Sequence, residues 1–307
     1  MVQKNRPMLH DAHNHLQDDW LAPHLDRIAR AATGLGIADM VVNGTHPEDW
    51  PRVAELAARY PFVRPAYGIH PWDAGRPRPD DWLAQLEARL LSDPRASVGE
   101  IGLDRWILDS ARPDDPRLAG VRRPSLTEQL ATFLPQLALA ARLDRPATLH
   151  CLQAWGALDE ALHAHPVPAR GFLLHAYGGP PGMAARFAAR GAYFSFNAYF
   201  LKDSRPTPSS APQTKCHLIG DTVARPTRLD TFKTIPLERL LVETDAPAMP
   251  LPPAWRTHKL PLAPDGSPVN HPGNLEAAYT ALASLRGLPL TDLTAQITAN
   301  FHSLFGP

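Results

Sequence analysis

The stretch that decides the fold is Leu9-His10-Asp11-Ala12-His13-Asn14-His15. Side chains alternate along an extended segment, so His13 and His15, two apart, point to one face and one place. Imidazoles paired in this way suit zinc, nickel, iron and related ions. A lone His-x-His carries little weight; what matters is whether other strands end in the same manner.

Working outward, apolar runs alternate with amphipathic ones along nearly the whole chain. After the first strand, strands are predicted at Ile37 to Asn43, Val63 to Ile69, Ala96 to Asp104, Pro146 to Cys151, Gly171 to Ala176, Ala192 to Asn197 and Leu237 to Glu243. Helical spacing falls between them at Asp18 to Ala32, Pro47 to Tyr60, Asp80 to Leu91, Ser125 to Leu143, Leu152 to His163, Met183 to Arg190 and, more weakly, Leu229 to Ile235. Ser125-Leu126-Thr127-Glu128 reads as a capping box. Two amphipathic helices, Asn274 to Arg286 and Leu290 to Phe305, close the chain. Arg105 to Arg123 reads as an irregular polar loop. Tyr199 to Thr227 has no clean period and is rich in proline and serine, with an insertion expected at residues 203–224.

Eight strands alternating with helices predict an α/β fold, a TIM-type (β/α)8 barrel forming a single domain over residues 1–307, with a long proline-rich insertion after strand seven. The alternative is an open doubly wound sheet. The strand ends choose between them, because a barrel gathers its site at the C-terminal ends of several strands. His13 and His15 end strand one, Glu100 lies in the end of strand four, His150 ends strand five, His175 ends strand six and Asp245 follows strand eight. Apolar strands have little reason to finish repeatedly in such residues unless they meet.

Four histidines and two carboxylates exceed the three protein ligands and water of a mononuclear catalytic zinc site. Two divalent metal ions are therefore expected (Zn, Mg, Mn, Ni or Fe), with a glutamate able to bridge them and Asp245 placed as general base. Cys151 abuts His150 but alternation turns it to the opposite face, into the barrel wall. Arg105, Arg112, Arg122 and Arg123 follow strand four and are either phosphate contacts or a solvated polar loop. His46, His163, His165, His217, His258, His271 and His302 fall on loops or helices and read as packing or solvated residues. The strand-end loops read as poor in aromatics that would stack on bases.

The 31 basic and 31 acidic residues cancel, which argues against long, non-specific binding of duplex nucleic acid. Two cysteines make no disulfide framework, the N-terminus has no apolar signal core, and no run approaches the roughly 18 apolar residues of a membrane span. A cytoplasmic monomer without membrane association is expected.

The chain resembles the TatD-type metal-dependent hydrolases (TatD-like deoxyribonucleases) of the amidohydrolase superfamily. The resemblance rests on Asp-x-His-x-His at Asp11 to His15, Gly-Ile-His-Pro at Gly68 to Pro71, and Gly-Glu-Ile-Gly-Leu-Asp at Gly99 to Asp104. His150, His175, Glu-Thr-Asp-Ala-Pro at Glu243 to Pro247 and Asn-x-x-x-Leu-Phe at Asn300 to Phe305 complete the order. It implies a barrel, a dinuclear divalent-metal site and hydrolysis, often of phosphodiester bonds in DNA. It places His13, His15 and Asp245 around one ion and His150 and His175 around the second, with Glu100 between them, and it sets His70 at the substrate mouth. Arg105 is the arginine taken as a substrate contact. The expected substrate is a small phosphodiester or short single-stranded DNA; the alternative is an amide, ester or lactone cleaved on the same site. Superfamily members of that second kind often carry a carbamylated lysine on strand four, whereas here Glu100 holds that position and none of the five lysines ends a predicted strand.

Overall fold

The computed structural model describes residues 7–204 and 226–307. Eight strands form one sheet in chain order, every neighbouring pair parallel: β1 (Leu9–Asn14), β2 (Ile37–Asn43), β3 (Val63–Tyr67), β4 (Ser97–Asp104), β5 (Ala147–Leu152), β6 (Phe172–Leu174), β7 (Ala192–Asn197) and β8 (Leu240–Glu243). The ring closes where the segment after β8 returns to β1: Asp245 N–H donates to His13 O at 2.9 Å and His15 N–H to Ala246 O at 2.8 Å. Helices α1 (Leu25–Leu35), α2 (Trp50–Arg59), α3 (Trp82–Ser92), α4 (Trp106–Asp109), α5 (Leu126–Leu143), α6 (Trp155–Ala164), α7 (Pro181–Ala189), α8 (Arg228–Thr234), α9 (Leu275–Arg286) and α10 (Leu290–Phe305) accompany the strands. The protein is a TIM-type (β/α)8 barrel.

The strands are buried along almost their whole length, because helices cover the outside while side chains fill the inside. Phe172, Phe194, Phe196, Phe232 and Phe301 are among the largest side chains taken wholly out of water. At roughly 25 cal/mol per Å² of apolar surface, each such burial contributes about 2–3 kcal/mol. Polar residues of α5 also turn inward. Gln136 accepts Ile69 N–H at 2.8 Å and donates to Ile69 O, while Gln129 accepts Asp104 N–H at 2.7 Å and donates to Asp104 O at 2.9 Å. These two buried amides pin the C-terminal ends of β3 and β4, the ends from which the site is built.

Local chemistry moves several expected boundaries. Pro23 and the Asp18 turn hold Ala22–His24 as a 3-10 turn, so α1 starts at Leu25 and runs on to Leu35, where Gly36 (φ 75°) ends it. The loop after β4 is not wholly irregular, since Trp106–Asp109 forms the short α4. β6 is only three residues long, and Ala176, at φ 42°, has already left extended geometry. The capping box at Ser125 and Glu128 is present. The expected insertion, residues 203–224, lies almost entirely outside the described residues. Among the described residues no helix is long and apolar enough to cross a membrane.

Candidate active site

Each strand-end residue singled out in the sequence reaches the same end of the barrel. His13 and His15 share a face, and their Nε2 atoms approach to 3.2 Å. His15 Nδ1 lies 2.8 Å from Asn43 O, an acceptor, so Nδ1 donates there and Nε2 is the nitrogen turned toward the cluster. Asp245 Oδ1 stands 3.4 Å from His13 Nε2 and 3.5 Å from His15 Nε2. It gets there through a backbone at φ 52°, in the left-handed region that a residue with a side chain rarely adopts, and the hydrogen bonds closing β8 onto β1 hold it there.

Glu100 lies between two groups of imidazoles. Oε2 is 3.1 Å from His15 Nε2 and 3.6 Å from His13 Nε2. Oε1 is 2.9 Å from His175 Nε2 and 3.0 Å from His150 Nδ1, two nitrogens themselves 3.2 Å apart. Gly102 permits this close arrangement of β4 and β5: it sits at φ 137°, and a Cβ there would lie 2.1 Å from His150 O. His70 completes the wall, its Nε2 3.4 Å from Glu100 Oε1 and its Nδ1 accepting Trp72 N–H.

The donor set suits divalent metal. Four imidazoles and two carboxylates turn nitrogen and oxygen atoms toward one another, and among the described residues no lysine or arginine pairs with Glu100 or Asp245. Ligand atoms of His13, His15 and Asp245, of His13, Glu100 and His175, and of His70, Glu100 and His150 each fall within 4.8 Å of one another. Burial would raise the Glu100 carboxyl, but the imidazoles of His70, His175 and His13 hold it well below the usual carboxylate range. Asp245 behaves alike: burial opposes ionisation, and hydrogen bonds from His13 and His15 overcome it. Burial would lower His150, yet Asp104 and Glu100 lift it to about 9. Protein carboxylates that must recruit protons onto neighbouring imidazoles are sites for which a cation competes.

A cleft of about 690 Å³ opens over this cluster, lined by His15, His70, Glu100, His150, His175 and Asp245 on its floor. Its wall adds residues to which the sequence reading assigned no site role. His46, read there as packing or solvated, is buried in the cleft wall, and Arg52 and Arg76 line it while pairing with Asp19, Glu48 and Asp73. Arg105 is not brought in: it is exposed, pairs with Asp109 and does not line the cleft. Arg112 and Arg122 likewise pair with local acids.

Nor is the rim poor in aromatics, which corrects the sequence reading. Trp72 lines the cleft, Trp106 stacks on it with ring centres 6.1 Å apart, and the Arg117 guanidinium lies 4.5 Å over Trp106. Trp72 follows β3 whereas Trp106 and Arg117 follow β4, so the two tryptophans meet only once β3 and β4 pair. Asp104 closes the Gly99 to Asp104 motif with no site role expected of it, although alternation from Glu100 puts it on the same inward face. It is fully buried against His150. Cys151 is buried, as alternation requires.

The family model described as TatD related DNase matches residues 10–306. YjjV of Escherichia coli K12, an uncharacterized metal-dependent hydrolase, is 28% identical over 301 residues, covering 96% of each chain. Human deoxyribonuclease TATDN3 is 26% identical over 304 residues, covering 96% of this chain and 93% of its own. The 3'-5' ssDNA/RNA exonuclease TatD of Edwardsiella piscicida is 29% identical over 221 residues, 72% of each chain. The crystal structure of Escherichia coli YjjV superposes with a TM-score of 0.75 at 26% identity, covering 97% of this chain and 98% of that one. With its barrel, its strand-end histidines and carboxylates and this whole-chain similarity, the protein belongs to the TatD-related DNase family of hydrolases.

Proposed function

We propose that this enzyme hydrolyses phosphodiester bonds in single-stranded nucleic acid, using two divalent ions held by His13, His15 and Asp245 on one side and His150 and His175 on the other, with Glu100 shared. The observation that carries this reading is the division of Glu100: Oε2 faces His13 and His15, while Oε1 faces His150 and His175, with His70 a little farther off. Bound there, such ions supply Lewis acidity and lower the pKa of water. Asp245 Oδ1 faces the two imidazoles, which leaves Oδ2 to orient the attacking water and accept its proton. The carboxylate is ionised throughout the neutral range, as a base must be. His70 Nδ1 accepts Trp72 N–H, so Nε2 is the donor, and from beside Glu100 Oε1 in the cleft wall it would reach an oxygen of a bound phosphate.

The rim favours nucleic acid over a small ester. Stacked Trp72 and Trp106 offer an aromatic surface beside the site, and every base has a face to lay on it. The relatives named as deoxyribonucleases and as a 3'-5' ssDNA/RNA exonuclease support the same substrate class. The test is hydrolysis of bis(p-nitrophenyl) phosphate and of a short single-stranded oligonucleotide by the metal-reconstituted protein. Activity on both, abolished by chelator and restored by metal, is expected. Inactivity toward both, with metal bound, would shift the reading to an amide, ester or lactone substrate.

A further inference from the structure

Asp104 ends β4 four residues beyond Glu100, and its side chain makes three contacts. Oδ2 lies 3.1 Å from His150 Nε2 and accepts Trp72 Nε1–H at 2.7 Å; Oδ1 accepts Ile107 N–H at 3.1 Å. The Gln129 amide fixes the Asp104 backbone through both its N–H and its C=O. The carboxylate can neither rotate nor retreat without breaking several bonds in a place closed to water.

An imidazole has one proton to place when neutral. A buried carboxylate at Nε2 draws it there, and Nδ1 is left with its lone pair. That nitrogen is the one 3.0 Å from Glu100 Oε1 and 3.2 Å from His175 Nε2. Were Asp104 absent, His150 would be free to hold its proton on Nδ1, pointing N–H into the donor cluster. Trp72 enters because its indole N–H shares Oδ2 with His150. An acceptor that already takes one strong hydrogen bond is held in place. Trp72 also lines the cleft, packs on Trp106 and meets His70 at a ring separation of 5.5 Å.

We infer that Trp72 and Asp104 are a positioning pair for His150: Asp104 keeps the imidazole proton on Nε2, and Trp72 holds Asp104 to that task from the substrate wall. Neither is a catalytic residue. Both act on the site through His150, so the indole that borders substrate also sets how firmly one ion is held.

The inference rests on the two-ion reading and is tested by zinc titration of the wild type, Trp72→Phe and Asp104→Asn, followed calorimetrically. Phenylalanine keeps an aromatic ring in the wall but removes the N–H together with the five-membered ring of the indole, so Tm is measured alongside. The wild type is expected to bind two ions, and Trp72→Phe to bind one of them roughly tenfold more weakly with the other unchanged. Asp104→Asn is expected to weaken the same ion further. Imidazole ¹⁵N–¹H spectra of the zinc-loaded protein give a second readout: His150 carries its proton on Nε2 in the wild type, and that signal is lost or displaced in Asp104→Asn. Two ions bound alike in all three proteins, with an unchanged His150 spectrum, would overturn the positioning pair alone. Equal weakening of both ions with a lowered Tm would also overturn it, since that marks a general packing role. A wild type that binds no zinc would overturn the two-ion reading as well.

Discussion

At the scale of a single residue, the proposed reading gives Asp245 two separable roles: Oδ1 faces His13 and His15, and the other oxygen would take the proton. Asp245→Asn keeps the shape and an oxygen donor but removes the base. We expect kcat to fall by about 10²–10⁴-fold, with most of the metal retained and Tm little changed. Full turnover in this variant, measured on the oligonucleotide, would remove Asp245 from the proton-transfer role. Trp106 offers a test of the aromatic rim that changes no residue of the donor cluster itself. Its ring lies between Trp72 and Arg117, so Trp106→Ala strips the backing from the cleft-lining indole. KM for a single-stranded oligonucleotide should rise roughly tenfold, with a smaller effect on kcat. An unchanged KM would exclude the rim from base recognition.

The elements that matter most to the site are β4 and the helix behind it, α5. Gln136 satisfies both Ile69 N–H and Ile69 O and is wholly buried. Gln136→Leu fills the same space but leaves two backbone groups without partners, at a cost of about 3 kcal/mol in urea unfolding. A loss under about 1 kcal/mol would mean that the strand end is held by something else. The sequence made the β/α alternation legible because buried parallel strands read as apolar runs, and it exposed His13, His15, Glu100, His150, His175 and Asp245 because polar residues interrupt those runs at one end. It concealed Gln129 and Gln136, whose partners are backbone groups of strands 25 and 67 residues away. The pairing of Trp72 with Trp106 was illegible for the same reason, since the two lie on loops that follow different strands. The start of α1 was misread because an apolar stripe does not reveal that Pro23 and the Asp18 turn impose a tighter first turn.

The whole molecule brings charge and stability into the account. Net charge is zero, so attraction to a polyanion depends on a few local contacts, and the salt dependence of oligonucleotide binding should be shallow. A pH effect on folding comes from His271, which is buried and accepts Gly273 N–H at Nδ1, 2.8 Å away. Burial, and after it the neighbouring His258, push its pKa from 6.5 down to about 4. Between those values the unfolded chain takes up a proton that the folded chain does not. This contribution to stability is therefore complete above pH 6.5 and is lost as pH falls toward 4. Urea midpoints measured across that window should fall more steeply for the wild type than for His271→Asn; parallel curves would refute the assignment. The proposed two-ion reading turns on Glu100, whose two oxygens face different groups of imidazoles. Elemental analysis of reconstituted, dialysed protein tests it most directly, comparing the wild type with Glu100→Gln. Two divalent ions per wild-type chain, and one or fewer in the variant, are expected. A single ion per wild-type chain at saturation, or two retained in Glu100→Gln, would contradict it.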